Sequence, residues 1–150
     1  MLDNEAASGG LSLTLVPDNI LKSLIHGYLF LESGDLISAE SALFHVQTAL
    51  ESSEKYEDVR CCIASQTDIA ICKLRRGMYK EAQEDFNAVL HKKITVHERN
   101  TVERWIAISL LYQGHYEEAT ECFNSILETI HTKGLDHIIT EILVRRNLAL

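Results

Sequence analysis

Seven histidines and four cysteines are the first candidates for chemistry in this 150-residue chain, because both residue types can ligate a metal ion. No two histidines have the His-x3-His spacing that places two imidazoles on one helix face. Cys61 and Cys62 are adjacent, so on a helix their side chains point about 100° apart. No CxxC pair occurs. The spacing predicts no metal site, and surface or loop positions for the histidines.

Paired carboxylates are the second candidate for chemistry, as general acids or bases. Glu84-Asp85 and Glu117-Glu118 fall on the outer faces of predicted helices, where solvent would leave them without the environment that acid–base catalysis needs. The chain has no glycine-rich phosphate loop, no Gly-x-Ser-x-Gly and no His-Glu-x-x-His. We therefore expect a protein that is not an enzyme and has no cofactor; an enzyme or metal-dependent protein is the least favoured alternative.

Two arginine pairs, Arg75-Arg76 and Arg145-Arg146, could contact phosphates. No aromatic residues interleave with them to stack on bases. Cations are also favoured at helix C-termini, where Arg75 and Arg76 are expected. The formal charge is -8 and the pI is about 5.3, whereas a nucleic-acid binder usually carries a basic stripe. The sequence predicts no nucleic-acid partner.

The elements that position these residues follow from a pattern that occurs three times, at 28–43, 69–86 and 106–123. Each copy is an apolar helical run, a glycine, a small residue five positions on, and a large apolar residue four positions beyond that. The glycines are Gly34, Gly77 and Gly114. The pattern recurs after 43 and then 37 residues. Recurrence at such a period is the signature of helical hairpins, which must stack to bury their apolar faces.

The chain is expected to be all-α, because it has one proline and no run of alternating β-branched residues. Residues 1–17 are predicted to be a flexible N-terminal leader, and 18–150 a helical repeat domain. Asp18 is the expected N-cap of the first helix. The predicted hairpins span about 18–53, 57–93 and 96–133, with a partial hairpin at 135–150.

Close crossing of two helices requires small side chains at the contact. On the first helices of the hairpins these are Gly27, Ala70 and Ala107, and on the second helices Ala39, Ala82 and Ala119. Large residues four positions further on, Leu43, Phe86 and Phe123, are expected to fill the wedge between successive hairpins. Tyr79 and Tyr116 are expected to pack over the turns.

This pattern resembles the tetratricopeptide repeat (TPR) family over roughly residues 18–150. The third copy matches its motif in order, with Ile106, Ala107, Leu110, Gly114, Tyr116, Ala119 and Phe123. The period exceeds 34 residues, and the proline that usually closes a repeat is absent, so the chain is similar to longer-period variants. The resemblance implies a right-handed superhelix of about three and a half hairpins, whose first helices line a concave, partner-binding face.

By helical phase, the predicted partner-binding residues on that face are Tyr28, Arg75, Arg104, Ile108, Tyr112 and Arg146. Tyrosine and arginine often dominate binding energy at interfaces. Arginines on an acidic protein could hold an acidic or extended peptide. In the alternative interpretation, the arginines are simply solvated and the aliphatic residues form the core between repeats.

The function expected from the resemblance is a protein–protein interaction module, an adaptor or scaffold segment of a larger assembly. The alternative is a regulatory domain gated by a signal peptide. No apolar stretch is long enough to cross a membrane, and no secretory signal is evident. The cysteines fall within helices, which favours a reducing compartment. An intracellular location, cytoplasmic or nuclear, is therefore expected. The pattern stops in mid-hairpin, which predicts a longer array, a dimer or a docked partner covering Ile138, Ile142 and Leu148.

Overall fold

The computed structural model describes residues 16–133 and 138–148, and within these ranges it contains seven α-helices and no strand. The helices are α1 (Asp18–Ser33), α2 (Leu36–Leu50), α3 (Tyr56–Arg75), α4 (Tyr79–Leu90), α5 (Val96–Tyr112), α6 (Tyr116–Lys133) and α7 (Ile138–Leu148). The predicted all-α class is confirmed. Of the predicted leader, residues 1–15 lie outside the described residues.

The chain forms two compact units, Met1–Arg76 and Gly77–Leu150. In the first unit, α1 packs against α2, α2 packs against α3, and α1 also contacts α3. In the second unit the neighbours in sequence, α4 to α7, pack against each other in turn, and α5 also contacts α7. In each unit, the first helix of a hairpin, α1 or α5, therefore also contacts the helix that follows that hairpin, α3 or α7.

Glycines end the first helices of the predicted hairpins. Gly34, Gly77 and Gly114 have φ of +90°, +84° and +84°, the left-handed region that side chains with a Cβ rarely adopt. After Gly34, the backbone N–H of Asp35 donates to the carbonyl of Phe30 over 2.9 Å, a bond typical of helices that end at a left-handed glycine. The predicted role of these three glycines is confirmed.

Caps fix where two of the helices begin. The Asp35 carboxylate accepts a hydrogen bond from the backbone N–H of Ser38 over 3.2 Å, as expected for an N-cap. Thr95 and Glu98 form a capping box: each side chain accepts from the other residue's backbone N–H. The expectation for Asp18 is wrong, because the cap position is Pro17, whose carbonyl accepts from the first helical turn, and Asp18 is already helical.

The predicted small residues are all buried, and at Gly27 there is no room for a larger one. All five alanines of the pattern are fully buried, namely Ala39, Ala70, Ala82, Ala107 and Ala119. Gly27 lies against Leu43, where a Cβ would come within 2.6 Å of Leu43 Cγ. Leu43, Phe86 and Phe123 are at most 1% exposed. Phe123 belongs to the same buried cluster as Val144 of α7, while its predicted role of filling the wedge between hairpins stays a prediction.

The two turn tyrosines behave differently. The Tyr79 ring meets the Tyr112 ring edge-on, with centroids 6.3 Å apart, so Tyr79 packs against α5; its predicted packing over the turn stays a prediction. Tyr116 is 65% exposed, and the prediction that it packs over its turn is wrong. Tyr79 is held by a ring from α5, whereas no aromatic contact to Tyr116 is found within the described residues.

The expectation of an unburied apolar face on α7 holds for one side chain. Ile142 is 60% exposed. Leu148 is partly buried against the cluster around Phe123 and Val144, which corrects the expectation for that residue. The side chain of Ile138 lies outside the described residues.

Candidate partner-binding surface

Tyr28 lies on an exposed apolar stripe of α1 in the first unit. Ile25, Tyr28 and Leu29 are 56%, 53% and 55% exposed, and their spacing of three and four residues places them on one side of the helix. The buried side of α1 carries Ile20, Gly27 and Leu31 instead. A helix in a soluble protein usually buries such a stripe, so this one is a candidate contact surface.

Arg75, at the end of α3, is engaged within the first unit. Its guanidinium Nη1 donates to the backbone carbonyl of Leu31 over 3.1 Å. That carbonyl belongs to the last turn of α1 and also accepts from the backbone N–H of Gly34 over 3.3 Å. Arg75 therefore joins α3 to α1, a structural role that the sequence prediction of partner binding did not include.

Asp68 was not among the predicted site residues, yet its carboxyl group has a perturbed environment. Burial, followed by the charge of Glu32 on α1, raises the pKa of Asp68 to about 6, while Arg75 opposes the shift. The group lies where α1 and α3 meet. No local sequence motif marks it, because the effect depends on a helix packed from elsewhere in the chain.

Several residues of α1 and α3 belong to the core of the first unit. Leu31, Ile71 and Leu74 are at most 5% exposed. Thr67 is also buried, and its hydroxyl donates to the carbonyl of Ile63 over 2.9 Å. These four side chains are therefore not accessible to a partner.

In the second unit, Arg104 on α5 and Arg146 on α7 lie within electrostatic range of each other. Burial and, second, the positive charge of Arg146 lower the pKa of the Arg104 guanidinium. The Arg104 guanidinium carbon lies 5.4 Å from the centre of the Trp105 ring. Among the described residues, no carboxylate lies in ion-pair range of Arg104 or Arg146.

Two buried amides lie on the same two helices. Asn100, one turn before Arg104, is fully buried, and neither of its side-chain polar atoms has a hydrogen-bond partner. Asn147, directly after Arg146, is 7% exposed, and its Nδ2 also lacks a partner. An unsatisfied buried polar group costs about 1–3 kcal/mol. Helices α5 and α7 therefore each carry one arginine of this pair and one buried amide with an unpaired polar atom.

The remaining predicted contact residues differ in accessibility. Ile108 is half-buried against the Phe123 cluster, so only part of it can reach a partner. Tyr112 is 59% exposed while its ring packs on Tyr79. Arg146 is exposed. In the second unit, Arg104 and Arg146 thus lie on two helices in contact, and Tyr112 is accessible.

A cavity of about 210 Å³ lies between α4, α5 and α6 of the second unit, lined by Leu90, Glu103, Ile106, Cys122 and Ser125. Burial raises the pKa of Glu103 and that of the Cys122 thiol. A neutral thiol is a poor nucleophile. The arrangement offers a small apolar recess, not an activated group.

The cysteines form no disulfide. Cys62 and Cys72 are buried, whereas Cys61 and Cys122 are partly exposed. Burial raises the pKa of Cys72 to about 12. In the described ranges, no group of three potential metal ligands comes together, and no helix is both long and apolar enough to cross a bilayer.

Comparisons with protein-family models, with curated proteins and with solved structures find no match to this chain.

Proposed function

We propose that this chain is a non-catalytic protein–protein interaction module, an adaptor or scaffold segment of a larger intracellular assembly. A partner peptide or helix binds along the first helices of its hairpins, α1, α3, α5 and α7. In this proposal the hairpins stack as in a TPR-like right-handed superhelix, which presents those helices on one face.

The observation that carries the proposal is the exposure of tyrosine side chains on two first helices. Tyr28 on α1 and Tyr112 on α5 are 53% and 59% exposed. Tyrosine gives a large contact area for little loss of side-chain entropy, and it is enriched where binding energy concentrates. Ile25 and Leu29 extend the apolar area around Tyr28.

The glycine turns and buried alanines support the proposed architecture. They produce the closely crossed hairpin of α1 and α2 and that of α5 and α6, the units from which helical repeat arrays are built. Contacts of α1 with α3 and of α5 with α7 also bring first helices together within each unit, which creates a continuous surface there.

A peptide selection tests the proposal. A displayed random-peptide library is selected on the intact chain, and the binders are titrated against Tyr28→Ala and Tyr112→Ala. We expect saturable binders whose affinity falls about tenfold or more in at least one variant. The matched control is Tyr116→Ala, an equally exposed tyrosine at the start of a second helix, which should leave affinity unchanged. Binders that depend on Tyr116 alone, or no saturable binder, would contradict the proposal.

A further inference from the structure

We propose that Arg104 and Arg146 form a receptor for carboxylate side chains of an acidic partner peptide that also carries apolar residues. This inference rests on the proposed function and names the chemistry of the partner for one part of the surface. It concerns the second unit alone, at the contact between α5 and α7.

Charge complementarity is the first argument. The chain as a whole has a formal charge of -8, yet Arg104 and Arg146 lie on two helices that contact each other, and no described carboxylate pairs with either. Arg104 is half-buried, so its charge has lost part of its hydration. A bound carboxylate would relieve both the repulsion and the lost hydration, through charge-assisted hydrogen bonds.

The fixed position of Arg104 is the second argument. Its guanidinium lies over the Trp105 ring, which restricts the side chain before any ligand arrives. A planar guanidinium held on an aromatic face keeps its outer N–H donors available for bidentate binding of a carboxylate. Preorganisation of this kind reduces the entropy lost on binding.

Apolar neighbours define the rest of the ligand. Ile142 is 60% exposed and lies one helical turn before Arg146, so the two share a side of α7. On α5, Ile108 follows Arg104 by one turn and remains partly accessible. Each arginine therefore has an aliphatic side chain one turn away, which favours a peptide with leucine-like residues next to its carboxylates over a purely acidic tract.

Trp105 provides the test, because it is the chain's single tryptophan and contacts Arg104. The probe is an acetylated, amidated peptide of alternating Leu and Glu-Glu, titrated into the intact chain while tryptophan fluorescence is recorded. We expect a saturable change that weakens as salt is raised, because charges carry much of the binding. The same peptide with every Glu replaced by Gln is expected to bind about tenfold more weakly.

Arginine variants distinguish binding at Arg104 and Arg146 from nonspecific attraction of the acidic peptide to other positive charges. Arg104→Gln combined with Arg146→Gln should reduce affinity about tenfold or more. The control is Arg99→Gln, a change on the same helix α5 at an arginine that donates to the carbonyl of Leu90 and lies 3.9 Å from Glu103, and it should retain affinity. Circular dichroism checks that each variant stays folded. Isothermal titration calorimetry measures the affinity without using Trp105 fluorescence as the readout.

Three results would overturn the inference. They are equal binding of the Glu and Gln peptides, unchanged affinity in the double variant, and stronger binding of a single-stranded oligonucleotide than of the Glu peptide at the same arginines. If the Glu peptide fails while binders selected through Tyr28 or Tyr112 persist, the acidic partner is excluded and the interaction module stands. If those binders fail as well, the proposed function itself is contradicted.

Discussion

Gly27 of α1 lies directly against Leu43 of α2: a Cβ on Gly27 would be 2.6 Å from both Cγ and Cδ2 of Leu43. Leu43 is fully buried, so it has little room to move away. The absence of a Cβ on Gly27 thus allows α1 and α2 to pack this closely. Close helix crossings of this kind are available only to glycine or another small residue.

Gly27→Ala is therefore expected to lower the free energy of unfolding by about 1–2 kcal/mol, although alanine is the better helix former. Urea unfolding followed by circular dichroism measures the change. Gly27→Ala combined with Leu43→Val should recover part of the loss, because removing a methylene makes room for the new methyl group. Stability equal to or above that of the wild type in the single variant would show that the crossing is not tight.

Thr95 tests the capping box of α5. Thr95→Ala removes the acceptor for the backbone N–H of Glu98, now 3.1 Å from Oγ1, and should cost about 1 kcal/mol of unfolding free energy. Thr95→Ser keeps the hydroxyl and should cost much less. Hydrogen exchange at the first turn of α5 reports the effect locally, and an alanine variant that exchanges no faster than the serine variant would exclude a role for the cap.

Asp68 predicts a pH dependence of stability in the first unit. Its pKa is raised from 3.8 to about 6, so the folded state binds this proton more tightly than the unfolded state. Stability from this group is highest below pH about 4 and is lost as the pH rises through about 6, because the buried carboxylate then ionises. Asp68→Asn is expected to raise the free energy of unfolding by about 1–2 kcal/mol near pH 8 and to have little effect near pH 4.

The control for Asp68 is Glu54→Gln, which neutralises an exposed carboxylate between α2 and α3 of the same unit. It should change stability little at either pH. Glu32→Gln should shift the Asp68 transition towards lower pH, because it removes the negative charge that contributes to the raised pKa. Direct titration of the Asp68 carboxyl carbon by NMR measures that transition, and a midpoint near the ordinary value would contradict the described environment.

The buried side chain of Asn100 gives a further prediction about stability. Since both polar atoms of this fully buried side chain lack partners, Asn100→Leu removes an uncompensated desolvation cost at similar volume. We expect the free energy of unfolding to rise by about 1–2 kcal/mol. Asn124→Leu, an exposed site on α6, is the comparison and should give no such gain. Destabilisation by Asn100→Leu would mean that the amide is satisfied in solution.

Local sequence signals predicted most of the fold. Positive φ at Gly34 and burial of Ala39 follow from turn and packing rules that need only a few neighbouring residues. Tyr116 shows the limit of the repeat analogy. Tyr79 packs because Tyr112 is presented by α5, and a motif copy carries no information about whether such a partner exists at the next turn.

The candidate surface was only partly predictable for the same reason. Helical phase identified Arg104 and Arg146 individually, but their mutual repulsion arises only when α5 and α7 pack together. Arg75 was predicted as a partner contact, whereas its donation to the Leu31 carbonyl depends on α1, more than forty residues earlier in the chain. Asp68 escaped attention because burial, which no local pattern encodes, is the main cause of its raised pKa.

The most direct test of the central claim is NMR chemical-shift mapping of the isotopically labelled chain with a peptide selected as its ligand. The account predicts perturbations concentrated on the first helices, with Tyr28, Tyr112, Arg104 or Arg146 among the largest, and recovery of the free spectrum when the intact peptide is competed away. Perturbations confined to the acidic outer faces of α4 and α6, around Glu84 and Glu117, or a peptide that is chemically altered by the chain, would contradict it.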